Sequence, residues 1–97
     1  LNLLSQKYGA YLEVLGNPER LRILELLLGK ELCVQEINSH LFASQATVSY
    51  HLALLKRAGF VSCVKAGKFI YYTADLNNIK KYLKDFVRDF TCAPSSR

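Results

Sequence analysis

The run Ser44-Gln45-Ala46-Thr47-Val48-Ser49-Tyr50-His51 gathers short hydrogen-bonding side chains into one stretch of chain. Val48, Leu52 and Leu55 recur at i, i+4, i+7 and make the buried stripe of a helix. Gln45, Thr47, Ser49 and Tyr50 then fall largely on its other side. Such residues donate to and accept from base edges and phosphates, so an exposed helix face built from them suits a DNA groove. Ser44 is placed to cap the helix and Gly59 to end it, with Lys56 and Arg57 in the last turn, where cations suit the dipole. Any amphipathic helix with a polar outside shares part of this pattern, and the surrounding chain has to decide between the two readings.

Other chemistry is thin. Cys33, Cys63 and Cys92 are odd in number and lack paired spacing, so they form no disulfide framework, and each also reads as a small hydrophobe. His40 falls near a helix C-terminus, which a histidine favours. The Cys and His residues lack structural-zinc spacing. The sequence contains no phosphate-cradling glycine loop, nucleophile elbow or convergent carboxylate pair, and so offers no support for an enzyme.

The elements that position the polar run follow from periodicity. Leu1, Leu4, Tyr8, Leu12 and Leu15 share a helical face that ends near Gly16. Asn17-Pro18 is a helix start, and the second helix runs through Leu21, Ile23, Leu24, Leu27 and Leu28 to Gly29; its apolar residues cover more than one face and place it centrally in the core. Glu31-Leu32-Cys33 reads as an extended link. A third helix spans about Val34 to Leu41, and a turn at Phe42-Ala43 leads into the polar helix. Two short helices with a tight turn between them form a helix-turn-helix. Phe60–Lys65 and Lys68–Thr73, rich in Val, Phe, Ile, Tyr and Thr, flank Ala66-Gly67 as a β-hairpin, which in this place is a wing with basic residues at its tip. Asp75 caps a last helix carrying Leu76, Ile79, Leu83, Phe86, Val87 and Phe90.

The fold class is therefore mainly α with a small β-hairpin: a winged helix-turn-helix in the order helix, helix, helix, helix, hairpin, helix. Residues 1–92 form a single DNA-binding and dimerisation domain, and 93–97 read as a flexible tail. The chain starts at Leu1 rather than methionine, which points to residues before it. No stretch approaches the roughly 20 apolar residues of a membrane span and no charged-then-apolar leader is visible, so a cytoplasmic protein with no membrane partner is expected. Net charge is +5, and its placement matters more than its size. Between Glu36 and Asp75 there is no acid, while Lys56, Arg57, Lys65 and Lys68 lie inside that window, an electrostatic footprint for a polyanion. The terminal helices carry more apolar surface than a domain this small can use, so Leu4, Tyr8, Leu12, Leu83, Phe86 and Phe90 are expected at a homodimer interface. Two-fold symmetry would set two recognition helices roughly 34–36 Å apart on double-stranded operator DNA.

Five blocks carry a resemblance: Leu15 to Leu24, Glu31 to Ile37, Ser44 to Leu52, Ala58 to Val61 and Gly67 to Tyr72. In order and spacing they resemble the ArsR/SmtB family of winged-helix repressors. The resemblance implies a homodimeric repressor that holds an inverted-repeat operator until an inducer, often a metal or metalloid, releases it. The residues expected at the major groove and flanking phosphates are Ser44, Gln45, Thr47, Ser49, Tyr50, His51 and Lys56, with Lys65, Lys68 and Tyr71 on the wing. For His51 the resemblance implies a packing or backbone-contact role. Tyr50 stands where the family often has arginine, losing a bidentate guanidinium contact.

The resemblance also frames the inducer. Cys33 matches the first cysteine of the metalloid-sensing pattern, but Gln35 and Asn38 stand at the other thiol positions, and As(III) or another soft ion wants two or three thiolates. Counting from Asp75, the zinc-type ligand positions hold Asn77, Arg88 and Thr91, so that site is absent. Cys92 ends the last helix, where redox- and persulfide-sensing members keep a reactive thiol; its partner would be Cys33, with Cys63 on the wing a further candidate. The alternative from another class is a winged-helix protein-interaction module that binds no DNA, and an RNA-binding role is disfavoured because most aromatics have core or interface spacing.

Overall fold

A computed structural model describes residues 3–92; Leu1, Asn2 and the tail expected over 93–97 lie outside the described residues. The order is α1 (Leu4–Leu15), α2 (Pro18–Leu26), β1 (Leu32–Cys33), α3 (Val34–Asn38), α4 (Gln45–Arg57), β2 (Val61–Ala66), β3 (Phe69–Ala74) and α5 (Leu76–Cys92). This is the winged helix-turn-helix read from the sequence, with one addition. Leu32 and Cys33 are not a plain link: they pair antiparallel with Tyr72 and Tyr71, making a three-stranded sheet of order β1-β3-β2. A two-residue strand has no periodicity of its own, and its partner lies some forty residues on.

Local chemistry sets the helix ends. The Asn17 side chain accepts from the Arg20 N–H at 3.0 Å, with Pro18 in the first turn, as the sequence indicated. Ser44 Oγ accepts from the Thr47 N–H at 3.1 Å and the Asp75 carboxylate from the Asn78 N–H at 3.0 Å. α3 is shorter than expected, stopping at Asn38, and the hairpin turns at Gly67-Lys68 rather than Ala66-Gly67. Gly59 has φ of +83°, and an added Cβ would sit 2.5 Å from the Asn78 side-chain nitrogen, which donates to the Gly59 carbonyl. Glycine is required there twice over, by backbone conformation and by the close approach of α5.

The core lies beneath α4. Val48, Leu52 and Leu55 are all but sealed, with Ile23, Leu27, Ile37 and Phe60 around them. α2 and the residues just after it are less central than their composition implied: Ile23, Leu24 and Leu27 are buried and Leu26 packs partly buried against the core, but Leu21 and Leu28 are about half exposed. Tyr8 also departs from expectation. It is 2% exposed within the single chain, edge-on to Phe86 at 5.3 Å between centroids and tilted against Tyr82 at 5.4 Å. It therefore leaves the set of interface candidates, because α5 of its own chain already covers it. Phe86, facing it, is half-buried in the same cluster.

The Tyr8 hydroxyl and the Lys7 ammonium both donate to Asp89, and Arg88 lies 3.2 Å from the other carboxylate oxygen. Bonds from Tyr8 first, then Lys7 and Arg88, hold the Asp89 carboxyl well below its usual value of 3.8, while burial opposes them. A depressed carboxyl stabilises the fold fully above its unfolded value, and that stabilisation fades as pH falls toward the folded one. Thermal melts of the wild type taken from neutral to strongly acidic pH are expected to lose stability below about pH 4. Asp89→Asn should start lower and show a shallower acid decline; a parallel decline would remove this pairing from the acid response.

Candidate nucleic-acid interface

On α4 the residues left outside the core are Gln45, Ala46, Ser49, Tyr50, Ala53, Lys56 and Arg57, all exposed, with Thr47 half-buried. They form one stripe opposite Val48, Leu52 and Leu55. Ser44 keeps its place but has a structural task, since its hydroxyl is engaged by the Thr47 N–H and lies 2.9 Å from the Thr47 hydroxyl. Gln45 and Ser49 carry free polar groups on the stripe, and Tyr50 is 60% exposed, its ring tilted against His51. Arg57 was read only as a dipole partner, yet the four-residue step from Gln45 through Ser49 and Ala53 leads to it.

His51 is a correction. It is 6% exposed and cannot face a groove. Its neighbour is Arg20 of α2, itself 4% exposed: Nη1 donates to His51 Nδ1 at 3.1 Å, Nε donates to the Val14 carbonyl at 2.7 Å, and Nη2 reaches the Glu13 carbonyl at 3.3 Å. A guanidinium can only donate, so Nδ1 accepts and the ring proton sits on Nε2, which faces Glu19 Oε2 at 3.8 Å. The set ties the end of α1, the first turn of α2 and the middle of α4 together. His51 thus holds the recognition helix, and the packing role implied by resemblance is the one its geometry supports.

The wing stands beside the first turn of α4. Val34, Gln35, Gln45, Lys68, Phe69, Ile70 and Tyr72 line a cleft of about 170 Å³, so Gln45 and Lys68, far apart in sequence, share one crevice. Gln35 joins them, a residue the sequence reading considered only as a missing thiol. Lys65 and Lys68 are exposed, and Tyr71 is half-buried, paired with Val64 across the hairpin. Polar helix face and basic wing tip meet on one side of the molecule, with no acid in the segment that builds it. This arrangement can follow a phosphate backbone with the wing while α4 meets base edges.

The three cysteines are free thiols in different settings: Cys33 buried, Cys63 half-buried, Cys92 exposed at the end of α5. Cys33 precedes α3, and its N–H donates to Glu36 Oε1 at 2.9 Å, which lowers the Glu36 carboxyl. Among the described residues no three or more His, Cys, Asp or Glu side chains gather to hold a metal ion. A soft ion such as As(III) wants two or three thiolates, so Cys33 alone would be an incomplete ligand set.

An exposed polar stripe on α4 backed by a sealed core, with a basic hairpin beside it, defines a winged-helix DNA-binding protein. Residues 17–62 match the family described as bacterial regulatory protein, arsR family. The chain is 38% identical over 80 residues to the transcriptional activator HlyU of Vibrio cholerae, covering 82% of this chain and 74% of that protein. It is 36% identical over 61 residues to the transcriptional repressor SdpR of Bacillus subtilis, covering 63% and 68%. A solved structure of HlyU from Vibrio cholerae superposes with a TM-score of 0.71 at 35% identity, over 91% of this chain and 96% of that one. The chain belongs to the arsR family and is a DNA-binding transcriptional regulator. Among the described residues no helix is long and apolar enough to cross a membrane.

Proposed function

We propose that the protein is a homodimeric cytoplasmic repressor that holds an inverted-repeat operator through Gln45, Ser49 and Tyr50 in the major groove and Lys65 and Lys68 on the phosphates. The observation that carries this reading is the shared crevice of Gln45 and Lys68, which sets base reading and backbone contact side by side. Relatives are named for both activation and repression; repression is the simpler outcome, because a dimer seated on promoter DNA excludes other proteins from it. The dimer is supported by α5. Leu76, Leu83 and Val87 are 39–59% exposed, on a strip running to Thr91 and Cys92. The chain extends 55 Å with a radius of gyration of 15.6 Å, against about 12.5 Å for a compact domain of this length. A second copy would cover that strip.

Binding titrations on a duplex selected from a random pool test the reading. Gln45→Ala is expected to lose discrimination at one base position, about 1–3 kcal/mol for a bidentate contact. Lys68→Ala should weaken all duplexes alike and flatten the slope of log K against log salt by about one unit. An unchanged slope would remove the wing from the interface.

For the inducer, the proposal is a thiol-reactive species acting through Cys33 and Cys92, as a soft-metal ligand pair completed across the dimer or as an oxidisable pair. Its support is the exposure of Cys92 at the end of the proposed dimer strip and the free state of all three thiols. Reduced protein on operator DNA, titrated with As(III), Cd(II) or a persulfide donor, is expected to be released, and Cys33→Ser with Cys92→Ser to stay bound. Release of the double variant at wild-type doses would move the inducer site elsewhere.

A further inference from the structure

Phe42 is the most exposed large apolar residue among those described, at 111% of its reference area where the others lie between 38% and 61%. It stands in the turn between α3 and α4, two residues before the capping Ser44. Its neighbours Leu41 and Ala43 are half-buried and pack on the core, so the turn that draws them in projects Phe42 outward. A polar residue would stand there at no cost in hydration, while a solvated phenyl ring forgoes the burial that would favour it.

Its surroundings say what could cover it. The ring lies at the end of α4 that carries Gln45, Ala46 and Ser49, on the acid-free segment between Glu36 and Asp75. The Glu36 carboxylate is turned back onto the Cys33 N–H. The apolar strip suited to a second copy is on α5, a different element. Phe42 precedes the first residue of α4 by three positions, so a duplex seated on that first turn would have the ring at its flank. Phosphates prefer cations and hydroxyls, and the group in the major groove that an apolar ring complements is the 5-methyl of thymine.

Resting on the DNA-binding reading above, we propose that Phe42 is a specificity-determining residue whose ring packs on a thymine 5-methyl group beside the bases met by Gln45. The test starts from a duplex that wild-type protein enriches from a random pool, with each thymine in turn replaced by deoxyuridine. At one position per half-site the replacement is expected to weaken wild-type binding about fourfold, the burial of one methyl group. Phe42→Ala should bind the thymine duplex at least that much more weakly and be indifferent to that replacement, while Gln45→Ala keeps its sensitivity to it. Thermal melts should show Phe42→Ala as stable as wild type, and Leu28→Ala, another exposed apolar residue, should bind like wild type. The proposal is overturned if Phe42→Ala binds as wild type does, if it weakens yet still responds to the same deoxyuridine, or if it changes the oligomeric state. Those results leave DNA binding standing; a pool in which wild type enriches nothing removes both readings.

Discussion

Arg20→Ala is expected to destabilise the fold by about 3–5 kcal/mol, since two or three buried acceptors left unpaired cost about 1–3 kcal/mol each. The acceptors are the Val14 carbonyl at 2.7 Å, His51 Nδ1 at 3.1 Å and the Glu13 carbonyl at 3.3 Å, around a guanidinium only 4% exposed. Glu13 is largely solvated, so its 3.4 Å ion pair adds little beside these bonds. Lysine is no substitute, because one ammonium cannot reach three divergent acceptors with the geometry of the planar fork. Denaturant melts of Arg20→Ala, His51→Ala and the double variant would measure the coupling, expected at about 1–3 kcal/mol for a direct buried contact. Additive single effects would show that the two side chains act independently. Since His51 sits midway along α4, the same variants should lower operator affinity at temperatures where they remain folded.

The second large effect belongs to α5. Leu83→Asp puts a carboxylate on the apolar strip of Leu76, Leu83 and Val87, and two-fold symmetry would place it twice in the proposed interface. Burying an unpaired charge costs several kcal/mol, enough to leave monomers at micromolar concentration. Half-site affinity should survive, while affinity for the full inverted repeat falls about 10²–10⁴-fold as linkage between the two half-sites is lost. Sedimentation velocity and anisotropy on half-site and full duplexes check both parts. A Leu83→Asp protein that still sediments as a dimer would place the interface elsewhere.

How legible each feature was depended on whether its cause is local. The stripe of Val48, Leu52 and Leu55 reads directly from its spacing, and all three are sealed. Asn17-Pro18 and Gly59 read equally well, because capping and positive φ are set by one or two residues. β1 was invisible as a strand, since Leu32 and Cys33 acquire it only by pairing with Tyr72 and Tyr71. His51 closes the polar run and is expected at the groove with it, yet three residues from Val48 and four from Leu55 it falls on the buried side. Its partner Arg20 is a long-range match that periodicity cannot show. Tyr8 failed for a related reason: an amphipathic helix declares an apolar face but not whether its own chain or a second copy will cover it. Arg57 and Phe42 were within reach, the first from a four-residue step along α4, the second only once the turn was seen to draw in the residues on either side of it.

On the function proposed above, the α4 stripe and the wing of each chain bind one half-site of duplex DNA. An anisotropy titration of the wild-type protein on an enriched inverted-repeat duplex, repeated over a series of salt concentrations, tests it most directly. Expected are saturation at two chains per duplex and a steep linear fall of log K with log salt, about 0.9 unit for each phosphate neutralised. No saturable binding to enriched or random duplex at low salt would contradict it and leave a winged-helix module that recognises protein instead.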